Sequence, residues 1–236
     1  MPRFVLVHGA WIGSWSWTRI APLLREQGAE VYAESLTGLG DRSHLSSRRI
    51  GLGTHIADVQ STIEHLDLER VTLVGHSYGG FVATGVADAI PERVCKLIYL
   101  DANVPETDGS SMIGDWAVAD QQRARRAVRE KGDGWNWPMP GLREDFGGDA
   151  ADITPKEFER MKSKSAPQPI KTFTERLALR GDYREIPRAY VKCTWNTFER
   201  SALEGNGMRV IDFESGHWAH DYQAQATSET TDVAGL

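Results

Sequence analysis

The run Val71-Thr-Leu-Val-Gly-His-Ser-Tyr-Gly-Gly80 constrains this chain more than any other feature. It is apolar and β-branched up to Gly75, and the small-residue segment Gly79–Ile90 follows at once, stopped by Pro91. A strand that turns directly into a helix leaves almost no room for side chains two positions before and after the turn residue. Gly75, Gly79 and Gly80 meet that demand around Ser77. A Gly-x-Ser-x-Gly turn in this context lifts its serine above the strand end, with the hydroxyl near a helix N-terminus. The same strand-to-helix step calls for a mostly parallel sheet covered by helices.

The rest of the chain repeats this alternation. Arg3–His8 and Ala29–Ala33 read as strands, with a helical pattern over Ile20, Leu23 and Leu24 between them that stops at Gly28. Ile56, Val59, Ile63 and Leu66 fall on one face of a helix over Thr54–Leu66. Val94–Leu100, Arg188–Thr194 and Met208–Phe213 are further apolar strands. Residues 103–185 break the pattern with many glycines, prolines and the run Arg123–Lys131. The expected organisation is a core of residues 1–102 and 186–236 with a helical lid at 103–185.

Composition excludes several classes. The charge sum is −6, which disfavours a nucleic-acid partner. Arg123, Arg125, Arg126, Arg129 and Lys131 therefore read as a solvated helix face. Two cysteines, Cys95 and Cys193, cannot build a Cys-rich zinc site and read as buried free thiols in strands. The apolar run Phe4–Val7 is short for a signal peptide, and no stretch approaches the ~18 apolar residues of a membrane span. The expectation is a cytoplasmic protein without metal, cofactor or membrane partner. It acts on a small molecule, with a homodimer left open.

Two further motifs follow strands. In Val5-Leu-Val-His-Gly-Ala-Trp11, Gly9 permits close backbone approach to a bound molecule, and the amide of Ala10 is the expected oxyanion donor. The second donor is the amide of Tyr78, directly after Ser77. His8 is expected to shape the loop rather than act in chemistry. Among seven histidines, His217 in Ser215-Gly-His-Trp218 combines a preceding glycine, an upstream strand and a C-terminal position. A histidine there can reach back to Ser77 as general base. Three of the eight tryptophans (Trp116, Trp135 and Trp137) fall in the 103–185 stretch, and with Trp11 they are candidates for lining an apolar pocket.

These residues resemble the α/β-hydrolase superfamily. The likeness points to its cofactor-free branch of plant methylesterases, hydroxynitrile lyases and small bacterial esterases. The carriers are Phe-Val-Leu-Val-His-Gly-Ala-Trp (4–11), Val-Gly-His-Ser-Tyr-Gly-Gly (74–80), Leu-Ile-Tyr-Leu-Asp-Ala-Asn-Val-Pro (97–105), Pro-Arg-Ala-Tyr-Val-Lys-Cys-Thr (187–194) and Ser-Gly-His-Trp (215–218). The resemblance covers nearly the whole chain and is loose in the lid. It implies a six-stranded, mostly parallel sheet and a Ser-His-acid triad.

The acid departs from the family pattern. Where Cys-Thr is commonly followed two positions on by Asp, this chain has Asn196. An Asn cannot carry the charge that stabilises imidazolium, and Asp-to-Asn in a serine triad costs roughly 10⁴ in rate. Asp101, at the end of the neighbouring strand, and Glu199 are the two alternatives, with Asn196 or water the third. Lyases of this branch carry Thr in place of Gly9 and Lys in place of Trp218, so the esterase-like reading is preferred. The expected activity is cleavage of a small aromatic or apolar ester, amide or carbamate through an acyl-enzyme. A ligand receptor that does not hydrolyse is the reading from another class.

Overall fold

A computed structural model describes residues 1–105, 107–114, 116–140, 153–193 and 198–222. Six strands form one sheet: β1 (Arg3–Val7), β2 (Glu30–Tyr32), β3 (Val71–His76), β4 (Val94–Leu100), and, beyond a two-stranded pair described below, β7 (Arg188–Lys192) and β8 (Met208–Asp212). Their order is β2-β1-β3-β4-β7-β8, and every pairing is parallel.

Successive strand residues point to opposite faces. Val5, Val7 and Leu73 join one apolar cluster, whereas Phe4, Leu6 and Val74 join a second on the other side. Helices α2 (Leu52–His65) and α3 (Gly79–Ala89) cover the first face, and α1 (Ile20–Glu26) covers the second. With both faces buried, all six residues of β3 are buried, Val71, Leu73 and Val74 supplying its apolar contacts. Each side chain of Val or Leu size buried in this way contributes about 1.5–3 kcal/mol.

The chain leaves β1 toward β2 and then crosses back to β3 on the other side of β1. The loops after β1 and β3 therefore diverge and open a crevice above the carboxyl ends of the strands, the usual ligand position in such sheets. Gly9–Trp11 and Ser77 stand at those two ends.

Between β4 and β7 lie α4 (Val118–Lys131), β5 (Asn136–Trp137), α5 (Pro155–Lys164), β6 (Gln168–Pro169) and α6 (Lys171–Thr174). The expectation of a purely helical insertion is corrected by the antiparallel pair β5–β6, which sets Trp137 opposite Gln168. Thr154-Pro155-x-Glu157 starts α5 as a capping box: Thr154 Oγ1 accepts the Glu157 N–H, and the Glu157 carboxylate accepts the Thr154 N–H. On α4, Ala124 and Val128 face inward, while Arg123, Arg125, Arg126, Arg129 and Lys131 are exposed. Two short helices, α7 (Arg200–Gly205) and α8 (Ala219–Tyr222), flank β8. Both cysteines are free. Cys193 is buried just past β7, but Cys95, second in β4, is half-exposed, which corrects the expectation that both thiols are buried.

Candidate active site

Ser77 sits in the turn between β3 and α3 with φ of 53°, in the left-handed region that non-glycine residues rarely occupy. Its carbonyl accepts the N–H groups of Gly80 (3.1 Å) and Asn103 (3.0 Å), which hold the turn from two sides. Such strain costs of order 1–3 kcal/mol and persists where the surroundings fix it. The flanking glycines are required by backbone crossing. A Cβ on Gly75 would stand 2.5 Å from the Gly79 carbonyl oxygen, and one on Gly79 would stand 2.5 Å from that of Val7.

The loop after β1 runs directly beside this turn. A Cβ on Gly9 would meet His76 Nδ1 at 2.9 Å and Ser77 Cβ at 3.1 Å. His8 is fully buried, and desolvation pushes its pKa down to about 4, so the ring is neutral. Its Nε2 accepts the Leu36 N–H at 3.0 Å, which leaves the proton on Nδ1 to donate to the Gly9 carbonyl at 2.8 Å. His8 thus holds the loop by hydrogen bonding. Trp11 has φ of 63°. Its N–H donates to Gln168 Oε1 at 2.8 Å, and its carbonyl accepts the Ala166 N–H at 2.9 Å.

His217 stands on the loop between β8 and α8, only 4% exposed. Its Nδ1–H donates to Asp101 Oδ2 at 2.7 Å. Asp101 is the first residue past β4, has φ of 42° and is fully buried. Its other oxygen accepts the Cys193 N–H at 3.3 Å, so it also ties the ends of β4 and β7. The Nδ1–Asp101 bond fixes the orientation of the His217 ring and places its proton on Nδ1. His76 Nε2–H donates to the His217 carbonyl at 2.8 Å and fixes the loop from below. Glu199 is exposed at the N-terminal end of α7. Asn196 lies outside the described residues.

Of the four tryptophans, three come together. The Trp11 and Trp137 rings meet edge-on at 5.0 Å, Trp116 packs on Trp137 at 5.8 Å, and Phe173 closes the group at 4.9 Å from Trp137. Trp135 stands apart in the turn before β5, half-buried under the Arg48 guanidinium at 6.0 Å. Tyr78 is fully buried and its hydroxyl meets His55 Nδ1 at 2.8 Å. His55 Nε2 faces the Thr37 carbonyl at 2.9 Å, and burial pushes this ring's pKa to about 4. A carbonyl only accepts, so the single proton sits on Nε2 and Tyr78 O–H donates to Nδ1. Sequence reasoning did not find His55 or Gln168. His55 shares the buried stripe of α2 with Leu52, Val59 and Ile63, and a polar residue in an apolar stripe is a legible signal.

A parallel sheet with a strained serine turn and a His–carboxylate pair at its carboxyl edge defines a class, and the model of the alpha/beta hydrolase family matches residues 4–230. The chain belongs to that family. It is similar to the carbendazim hydrolyzing esterase of Nocardioides sp. (strain SG-4G), 52% identical over 112 residues, 48% of this chain and 46% of that protein. Methylesterase 8 of Arabidopsis thaliana is 33% identical over 116 residues, 46% of this chain and 40% of that one. These matches span about half the length of the curated relatives or less. Among solved structures, an extracellular alpha/beta-hydrolase from a Paenibacillus species superposes with a TM-score of 0.88 at 23% identity, covering 99% of both chains.

Proposed function

We propose that this chain is a serine hydrolase that cleaves a small, aromatic or apolar ester-like bond through an acyl-enzyme. The observation that carries the reading is the 2.7 Å pairing of His217 Nδ1 with buried Asp101 at the strand ends beside Ser77. In this mechanism Ser77 Oγ attacks the carbonyl while His217 Nε2 takes its proton. Asp101 holds the ring in the working tautomer and stabilises the imidazolium. The amides of Ala10 and Tyr78 receive the oxyanion, a contribution of about 3 kcal/mol per donor. His217 then protonates the leaving group, and water, deprotonated by the same ring, frees the acid and restores Ser77.

Relatives named as a carbendazim hydrolyzing esterase and as methylesterases support an ester-like scissile bond. Trp11, Trp116 and Trp137 supply an aromatic wall that suits a flat apolar acyl or leaving group. Residues 103–185 serve as the lid, since Trp137 and Phe173 pack on Trp11 from that segment.

The test is hydrolysis of a panel of aryl and methyl esters and carbamates, carbendazim among them, with Ser77→Ala as blank. A fluorophosphonate should add one label, on the peptide containing Ser77. Turnover that survives Ser77→Ala, or labelling elsewhere, overturns the reading.

A further inference from the structure

We propose that Gln168 is a positioning residue of the oxyanion hole, holding the Ala10–Trp11 peptide from within the 103–185 insertion. The inference rests on the serine-hydrolase reading above. Ala10 is flanked by two peptide planes. Its own N–H lies in the Gly9–Ala10 plane, whose carbonyl accepts the His8 Nδ1–H at 2.8 Å. A trans peptide points its N–H opposite to its C=O. The His8 contact therefore turns the Ala10 N–H away from His8.

The second plane carries the Ala10 carbonyl and the Trp11 N–H, and that N–H donates to Gln168 Oε1 at 2.8 Å. Gln168 is fully buried. Its Nε2 donates to Thr172 Oγ1 at 2.9 Å, and the Thr172 hydroxyl donates to the Pro169 carbonyl at 2.8 Å. That chain of donors fixes which end of the carboxamide faces Trp11, because a flipped amide would set two N–H groups against each other. The left-handed φ of 63° at Trp11 places the N–H where Gln168 can take it. Two further contacts from the insertion secure the residue: the Ala166 N–H to the Trp11 carbonyl at 2.9 Å, and Trp11 Nε1–H to the Trp137 carbonyl at 3.0 Å. Both planes beside Ala10 are thus pinned, one by His8 from the sheet and one by Gln168 from the insertion. Without Gln168, a buried Trp11 N–H loses its acceptor and the second plane rotates to find another. The Ala10 amide then loses its aim at the tetrahedral oxyanion.

A misaimed donor weakens the transition state more than the bound ester. Gln168→Leu keeps the bulk and removes the acceptor. It should lower kcat roughly 10- to 100-fold, below the ~10²–10³ of an entirely lost donor, with KM changed less than about threefold. Affinity for an aryl trifluoromethyl ketone, which forms the oxyanion, should fall in parallel. Gln168→Glu keeps an acceptor at the same reach and should recover most of the rate, whereas Gln168→Asn falls short of Trp11 and should not. Wild-type kcat and ketone affinity in Gln168→Leu would overturn the inference. If that variant does not fold, wild-type kcat in Gln168→Asn does the same. Fluorophosphonate labelling of the wild type separates the two readings: an unlabelled wild type fails the hydrolase reading, and a labelled wild type with indifferent Gln168 variants fails only this one.

Discussion

Asp101 and His217 come from strand ends 116 positions apart in sequence and meet at 2.7 Å with both side chains buried. Asp101 belongs to the end of β4, so in the proposed triad the acid arrives from one strand nearer Ser77 than position 196, where the family pattern places it. The left-handed φ of 42° at Asp101 is the local cost of that route.

Replacing Asp101 by Asn keeps the shape and removes the charge. By the logic of the triad, kcat should fall by roughly 10³–10⁴ with the fold intact. Glu199→Gln, at an exposed side chain, should change kcat less than twofold. Steady-state kinetics on one good ester, with circular dichroism for folding, checks both. A crippled Glu199→Gln beside an active Asp101→Asn would move the acid to Glu199.

Gly79→Ala should damage the protein through backbone contact alone. The new methyl would be driven to 2.5 Å from the Val7 carbonyl oxygen, which lies in a central strand and cannot move aside. Overpacking of this kind costs about 1–3 kcal/mol or more. Urea unfolding should show a loss in that range together with lowered activity, since β1 carries the Gly9–Ala10 loop. Gly28, with φ of 88° and nothing within 4 Å of its position for a Cβ, is the control: Gly28→Ala should cost about 1 kcal/mol through φ alone and leave activity unchanged.

The fold, and two members of the triad proposed above, were legible because their signals are local. The alternation of apolar strands with helical faces names the sheet, and a strand, three glycines and a serine name the turn. His217 follows from a strand before it and its place in the chain. The acid was not decided, since Asp101 and Glu199 both follow strand candidates and only the third dimension brings one to the imidazole. Gln168 and Trp11 lie 157 positions apart, and no motif announces a two-residue strand such as β6. Trp135 and Trp137 look alike in sequence, but Trp135 lies in the turn before β5 and only Trp137, within the strand, joins the aromatic group.

Tyr78 donates its hydroxyl to His55 Nδ1 in a fully buried pair. Tyr78→Phe strands that nitrogen, which should destabilise the protein by about 1–3 kcal/mol. The main-chain amide of Tyr78 remains, so kcat should fall far less than in Asp101→Asn. The double variant Tyr78→Phe/His55→Leu removes both polar groups and should regain part of the lost stability. A double variant worse than the sum of the singles would rule out the pairing as the cause.

Buried neutral histidines should make the fold acid-sensitive. Desolvation pushes the pKa of His220 down to about 3 and those of His8 and His55 to about 4, against an ordinary value of 6.5. Between those limits the unfolded chain binds protons that the folded chain refuses. Unfolding stability therefore falls as pH drops through 6.5 and stops falling only between about 4 and 3, where the folded state also takes them up. The loss is about 1.36 kcal/mol per ring for each pH unit over which only the unfolded chain binds the proton. His220 offers the cleanest probe. Both its ring nitrogens are buried without a hydrogen-bond partner among the described residues, and its ring packs 4.4 Å from Trp17 and 4.2 Å from His76. The cationic forms of His217 and His8 would oppose its protonation further. His220→Phe discards no hydrogen bond and keeps the ring, so it should be neutral or stabilising at pH 7. It should also shrink the loss of stability between pH 7 and pH 5 by about 2 kcal/mol. Urea midpoints for both proteins at the two pH values measure this directly. Equal losses in wild type and His220→Phe would show that His220 is not held neutral in the fold.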